Sequence, residues 1–403
     1  MTTLKSNVEG APVESGAGAM IKSMFKDNIR QYGMLIALVV IMVFFWIVTE
    51  GTLMRPVNLT NLILQNSYII IMALGMLLII IAGGIDLSVG SVAGFVGGLA
   101  AVLIVRYDMN VYLAMLISLV VGGLIGVWQG YWIAYVKIPA FIVTLAGMLI
   151  FRGLSLWLLG GESVGPFPQS FQNIASGFIP DFFHYPGVHL TTVLLGALLS
   201  GILIFLDIRA RQNNRKYEFA VSPLPLFIVK NVIITGAIMG LCILMASYKG
   251  LPNVLILMGV LIVIYTFLTN QTVLGRRIYA LGGNEKATKL SGVNTRKLLF
   301  LTFVNMGLLA AVAGMVYAAR LNSATPKAGN GMELDVIAAC YIGGASTTGG
   351  IGTVVGAIVG AFVMGVMNNG MSIMGVNIDW QQVIKGMVLL LAVFFDVSQK
   401  NKE

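Results

Sequence analysis

Charge is scarce in this chain: Asp, Glu, Lys and Arg together make up 10% of its 403 residues, where a soluble domain carries roughly a quarter. So few charges cannot keep a chain of this length in water, which excludes an ordinary soluble protein. Histidine is nearly absent, with only His184 and His189, on either side of Pro186. With no second ligand pattern nearby, both read as loop residues and no metal site is expected. The two cysteines, Cys242 and Cys340, fall in apolar segments, which removes a disulfide framework and a cysteine-built metal cluster. No segment reads H-E-x-x-H or G-x-x-x-x-G-K-[ST]. Catalysis within a membrane needs a nucleophile with its base, or clustered metal ligands. The chain is therefore expected to be no enzyme, to hold no cofactor, and to be unable to hydrolyse ATP by itself.

What is abundant is apolar. Hydrophobic residues make up 58% of the chain, with 48 glycines among the rest. A span needs about 20 such residues, fewer where neighbouring helices shelter its ends. Candidate spans are 32–49, 67–82, 89–105, 111–136, 140–160, 188–208, 226–248, 251–269, 299–319 and 380–397, with a longer glycine-broken stretch at 334–373. The pattern predicts an all-α polytopic membrane protein of about 10–12 transmembrane helices.

The formal net charge of +9 does not indicate nucleic acid, because the basic residues sit in a few short loops. Loop 161–187 contains no Lys or Arg, whereas 209–217 holds Arg209, Arg211, Arg215 and Lys216. Loop 270–298 holds Arg276, Arg277, Lys286, Lys289, Arg296 and Lys297. The positive-inside rule places both basic loops in the cytoplasm and 161–187 outside. Residues 1–31, with Lys5, Lys22, Lys26 and Arg30, read as a cytoplasmic tail with no cleavable signal peptide. The membrane domain is 32–397. The tail 398–403, with Lys400 and Lys402, also lands inside if 334–373 crosses twice or re-enters.

Two stretches interrupt hydrophobic runs in a similar way: AGGIDLSVGS, from Ala82 to Ser91, and IGGASTTGGIG, from Ile342 to Gly352. Unwound backbone at membrane depth is tolerated only against protein or a wet cavity. Gly-interrupted segments in two halves of a chain point to a transport pathway within a repeated-half architecture. Asp86 supports two readings: an intramembrane carboxylate facing a solute or a coupling ion, or a cap on the helix that follows Ser88. Gly122, Gly126 and Gly130, and then Gly352, Gly356 and Gly360, recur at spacing four and predict close helix packing. Arg152, Lys230 and Lys385 lie near span ends and read as snorkelling anchors.

The segment LGRRIYALGGNEKATKLSGV, from Leu274 to Val293, is too patterned for a plain connector. Asn284 is placed to cap a helix with Glu285 in its first turn, and Gly292 to stop it. Two turns between them would set Ala287 and Leu290 on one face. A short amphipathic helix of this kind suits docking into a groove of another protein; the bland alternative is a basic loop resting on lipid headgroups.

GRRIYALGGN, from Gly275 to Asn284, with Glu285, Ala287, Ser291, Gly292 and Val293, resembles the coupling loop of ribose, xylose and galactose ABC-importer permeases. GIDLSVGS from Gly84, PAFIVTLAGMLIFRG from Pro139 and ELDVIAACYIGG from Glu333 are similar to further signatures of that family, in chain order. The extra apolar region around 188–250 resembles the longer xylose or multiple-sugar permeases. The resemblance implies a homodimer of permease copies in the bacterial inner membrane. It implies a tandem ATP-binding cassette partner, a periplasmic sugar-binding protein, and an ATPase-coupling role for 284–292. Asp86, Ser88, Ser91, Thr144, Thr347, Asn368 and Asn369 are the expected polar groups along a sugar's passage, since hydroxyls and amides exchange hydrogen bonds with a polyol. An ion-coupled secondary transporter using Asp86 is the alternative. A membrane scaffold is a third reading, disfavoured by the broken helices.

Overall fold

Backbone that crosses lipid must satisfy its own hydrogen bonds, and helices do so within a single segment. The computed structural model describes residues 29–183, 187–219, 221 and 223–400. It is all-helical apart from two isolated β-bridges among those residues. The N-terminal tail to residue 28, His184 and Lys402 lie outside the described residues.

The helices are α1 (Ile29–Val48), α2 (Pro56–Ile81), α3 (Val89–Ala101), α4 (Val111–Ala134), α5 (Ala140–Leu159) and a short α6 (Gln169–Gln172). There follow α7 (Leu190–Lys216), α8 (Leu224–Ala246), α9 (Asn253–Gln271), α10 (Val273–Gly283) and α11 (Glu285–Leu290). The chain closes with α12 (Thr295–Leu321), α13 (Met332–Ile342), α14 (Val354–Ile373) and α15 (Ile378–Lys400). Among the described residues, nine helices are long and apolar enough to cross a membrane, and Gly33–Val48 is a shorter apolar one.

Several elements outrun the hydrophobic windows that predict them. Helix α2 starts eleven residues before 67, through Asn58, Thr60, Gln65 and Asn66. Those polar residues lower the local hydropathy, yet α2 is the most enclosed of the spanning helices, and Thr60 and Asn66 are buried against protein. The basic stretch expected as loop 209–217 is mostly the end of α7, and 270–298 is mostly the helical pair α10 and α11.

Two crossings are part non-helical and part helical. After α2 the chain turns back into the bundle as Ala82–Ser88 before α3 begins. Ser88 lies beside Gln129 and Gly147, about two turns in from the end where α4 stops and α5 starts. In the second half, residues 322–331 leave the far end of α12 and descend to α13. The two half-helices begin side by side: Gly90 lies against the Gly329 carbonyl and Glu333, and Gly94 against Ala328. A side chain at Gly90 would overlap both. The two non-helical legs thus enter from opposite ends of the bundle, an inverted relation.

The segment 342–352 is not the counterpart of 82–88. It is the turn from α13 into α14, with Gly344, Gly349 and Gly350 at positive φ. It lies beside the end of α2, where the Gly350 N–H donates to the Ile81 carbonyl at 2.8 Å. The glycine spacing has the expected use. Gly122, Gly126 and Gly130 let α4 press onto α12 at Gly307, Phe303 and Phe300, while Gly356 and Gly360 bring α14 onto α13. Gly352 precedes α14 and packs on Leu77 and Ile81 instead. Helices α7 and α8 form a hairpin at the rim, and only Cys242, Met245 and Ala246 of α8 are buried.

Candidate functional site

At the basic end, the polypeptide builds a small platform. Thr272 accepts from the Gly275 N–H at 3.1 Å and starts α10. Asn284 caps α11 through its Oδ1, which accepts from the Ala287 N–H at 3.0 Å. Gly292, at φ +86°, ends that helix. Thr288 is buried and ties back to the Asn284 carbonyl at 2.8 Å, so the opposite face points outward. That outward face carries Ala287 and Leu290, and Leu290 is 89% exposed. Glu285 and Lys289 overlook a cavity of about 630 Å³ between α11, Ala82–Gly84 and the turn from α4 to α5 at Lys137–Ala140.

Helix α10 joins this platform to both glycine segments. Gly282 lies so close to the Ile81 carbonyl and Gly350 that any Cβ would overlap them. Tyr279 donates its hydroxyl to the Gly352 carbonyl at 2.6 Å. Burial pushes the Tyr279 hydroxyl above its ordinary pKa, so the donor is present throughout the physiological range. Helix α10, directly before α11, thus touches the end of α2 and the 342–352 turn at two points.

The candidate polar residues fall into three places. Asp86, Ser88, Ser91 and Thr144 gather where the first half-helix begins. Asp86 is 2% exposed, and its Oδ1 accepts from the Ser88 N–H at 2.7 Å and the Ser88 hydroxyl at 2.6 Å. Ser88 Oγ in turn accepts from Gln129 Nε2 at 2.7 Å. Thr144 donates to its own helix at Ala140, 2.9 Å, with a longer contact to the Ile85 carbonyl. Ser91 Oγ is buried with no hydrogen-bond partner. Thr347 lies away from these, in the turn at the basic end. Asn368 and Asn369 sit near the far end of α14. Asn369 exchanges hydrogen bonds with Asn58 at 2.9 and 3.2 Å, clamping α14 to the start of α2.

Three groups escaped the sequence reading. Gln129 is indistinguishable by periodicity from any other residue of α4. The other two are carboxylates of ELDVIAACYIGG. Glu333 Oε1 meets Arg152 Nη2 at 2.9 Å, and Asp335 Oδ2 meets Lys385 Nζ at 3.0 Å. Arg152 and Lys385 are therefore not headgroup anchors: partway along a span, the nearest counter-charge is a carboxylate on α13. Lys230, more exposed, pairs with Asp207 of α7 at 2.9 Å. Two acids and two bases in otherwise apolar segments were the visible signal.

Residues 58–393 match the family described as "Branched-chain amino acid transport system / permease component". The chain is 38% identical over 375 residues to the xylose transport system permease protein XylH of Haemophilus influenzae, covering 93% of this chain and 98% of that one. To the protein of the same name from Escherichia coli K12 it is 39% identical over 399 residues, 98% of each chain. It is also 35% identical to the ribose import permease protein RbsC of E. coli K12 over 341 residues, 84% of this chain and 85% of the relative. No solved structure matches the chain.

Proposed function

We propose a function from one premise: this chain belongs to the branched-chain amino acid transport system / permease component family. It is the membrane-spanning permease subunit of an ATP-binding cassette importer for a monosaccharide. The family description names amino acids, whereas the relatives matched over nearly the whole chain are named for xylose and ribose. Full-length similarity outweighs the broader label, so a neutral sugar is the substrate class.

The observation that carries the mechanism is α11: a capped, two-turn helix with Leu290 in solvent, joined through α10 to both glycine segments. An exposed apolar side chain on such a helix suits the groove of a soluble partner. With no nucleotide motif in the chain, that partner is a tandem ATP-binding cassette subunit. Closure of the cassettes would push α11, and Gly282 and Tyr279 would carry the movement to α2 and the 342–352 turn. A periplasmic sugar-binding protein would deliver the substrate at the other end. A second permease copy completes the pathway in the bacterial inner membrane. The basic end, with both chain termini, faces the cytoplasm by the positive-inside rule.

Asp86, Ser88, Ser91, Thr144, Thr347, Asn368 and Asn369 belong to the pathway in this proposal chiefly as its walls. The hydrogen bonds of Asp86, Ser88, Thr144 and Asn369 support that role, because each holds one element to another or fixes the start of a helix. The same bonds weigh against the ion-coupled alternative, since Asp86 is engaged by its own turn. Deleting 284–292 tests the coupling role. Membrane insertion should persist while recovery of an ATPase with the chain and ATP-driven uptake both disappear; uptake that survives the deletion overturns it.

A further inference from the structure

We propose that the cavity between α2, α12, α13 and α15 is a sugar-contact site on the translocation pathway, lined by Tyr68, Tyr317, Asn330, Asp335, Gln382 and Lys385. This rests on the permease reading above and deepens it by saying where in the membrane the solute is held.

The cavity measures about 260 Å³, just under the ~300 Å³ at which ordinary small-molecule pockets begin. That is room for one monosaccharide ring and little more. Its chemistry is that of a polyol site. Tyr68 and Tyr317 meet edge to face, ring centroids 4.9 Å apart, and aromatic faces of this kind pack against the C–H faces of a sugar. Asn330 and Gln382 offer amide donors and acceptors at the mouth. Asp335 and Lys385 form an ion pair, so the wall presents hydrogen-bonding groups with no net charge, as a neutral solute requires.

One acceptor remains unfilled. Asp335 Oδ2 holds Lys385 at 3.0 Å and Asn368 at 3.5 Å, whereas Oδ1 is buried with no hydrogen-bond partner. That oxygen is closed off from the cavity surface, so what Asp335 offers a solute is its ion pair with Lys385. The first half-turn of α13, at Gly331 and Met332, also borders the cavity.

The location supports a pathway rather than a lipid-facing dent. Asn330 and Gln382 are exposed at the depth where α13, only 11 residues long, begins. Uncompensated polar groups at that depth are disfavoured against hydrocarbon, so such a face is covered by protein or water. The crevice between α7, α8 and α9 is the contrast: Leu199, Ile256 and Val263 give it an apolar lining that lipid tails suit.

The test uses the full transporter, in cells or reconstituted with its partners. Asn330→Cys and Gln382→Cys place thiols at the mouth, and Leu198→Cys, on the exposed face of α7, serves as the lipid-facing control. The two native cysteines are buried. A charged, membrane-impermeant thiosulfonate should modify N330C and Q382C at least tenfold faster than L198C, and that modification should cut xylose or ribose uptake at least fivefold. Modification rates equal to the control, or rapid modification with unchanged uptake, overturn the site. Uptake by the unmodified parent is measured separately, so loss of the permease reading itself is distinguishable.

Discussion

At the residue scale, Asp86 and Gly282 are both tightly held by their surroundings. Asp86 spends one oxygen on the Ser88 amide and hydroxyl, and an Asn in its place keeps an oxygen that can accept. Asp86→Asn should therefore retain more than half of parental uptake with an unchanged pH and sodium profile. Asp86→Ala should destabilise the protein by about 1 kcal/mol, the usual value of a lost cap. Uptake assays at several pH and sodium values, with apparent melting temperatures in detergent, check both; a sodium- or proton-dependent parent whose dependence vanishes in D86N would return Asp86 to an ion-coupling role. Gly282→Ala is a different case, because one methyl group has to displace the Ile81 carbonyl. The variant should insert and bind its ATPase normally, yet transport at least tenfold less sugar per ATP hydrolysed. Parental coupling in G282A would show that α10 transmits nothing at that contact.

At the scale of elements, α11 was legible because its signals are local: an Asn cap, an acidic first turn and a glycine stop. Leu290→Glu changes only its outward face and should abolish ATPase binding without altering expression or melting temperature, as read by co-purification in mild detergent. The start of α2 was not legible, since Asn58, Thr60 and Asn66 look like loop residues until their burial between helices is known. Segment 322–331 failed for the same reason in reverse. NSATPKAGNG reads as an external loop, and only its contacts with Gly90 and Gly94 reveal it as the entering leg of α13. The pair holding α5 to α13 bridges residues 181 positions apart, a separation that no periodicity encodes. Arg152→Met should cost about 3 kcal/mol, because it leaves Glu333 buried and unpaired. Adding Glu333→Leu should recover most of the lost melting temperature; a double variant as unstable as R152M would mean that packing of the Arg stem, not the pair, holds the helices.

At the scale of the whole molecule, low charge and long apolar runs decided the class, and the order of the motifs decided the family. What neither revealed is how the halves meet: two half-helices starting side by side inside the bundle, with legs entering from opposite ends. In the proposed mechanism, that arrangement joins the docking platform to the broken helices through α10. The most direct measurement is sugar accumulation in proteoliposomes containing this chain and its co-purified ATPase, with ATP inside relative to the cassettes and the binding protein on the other face. Accumulation of xylose or ribose that requires ATP, the ATPase and the binding protein together is the predicted result. Accumulation driven by a proton or sodium gradient with the chain alone would contradict the account.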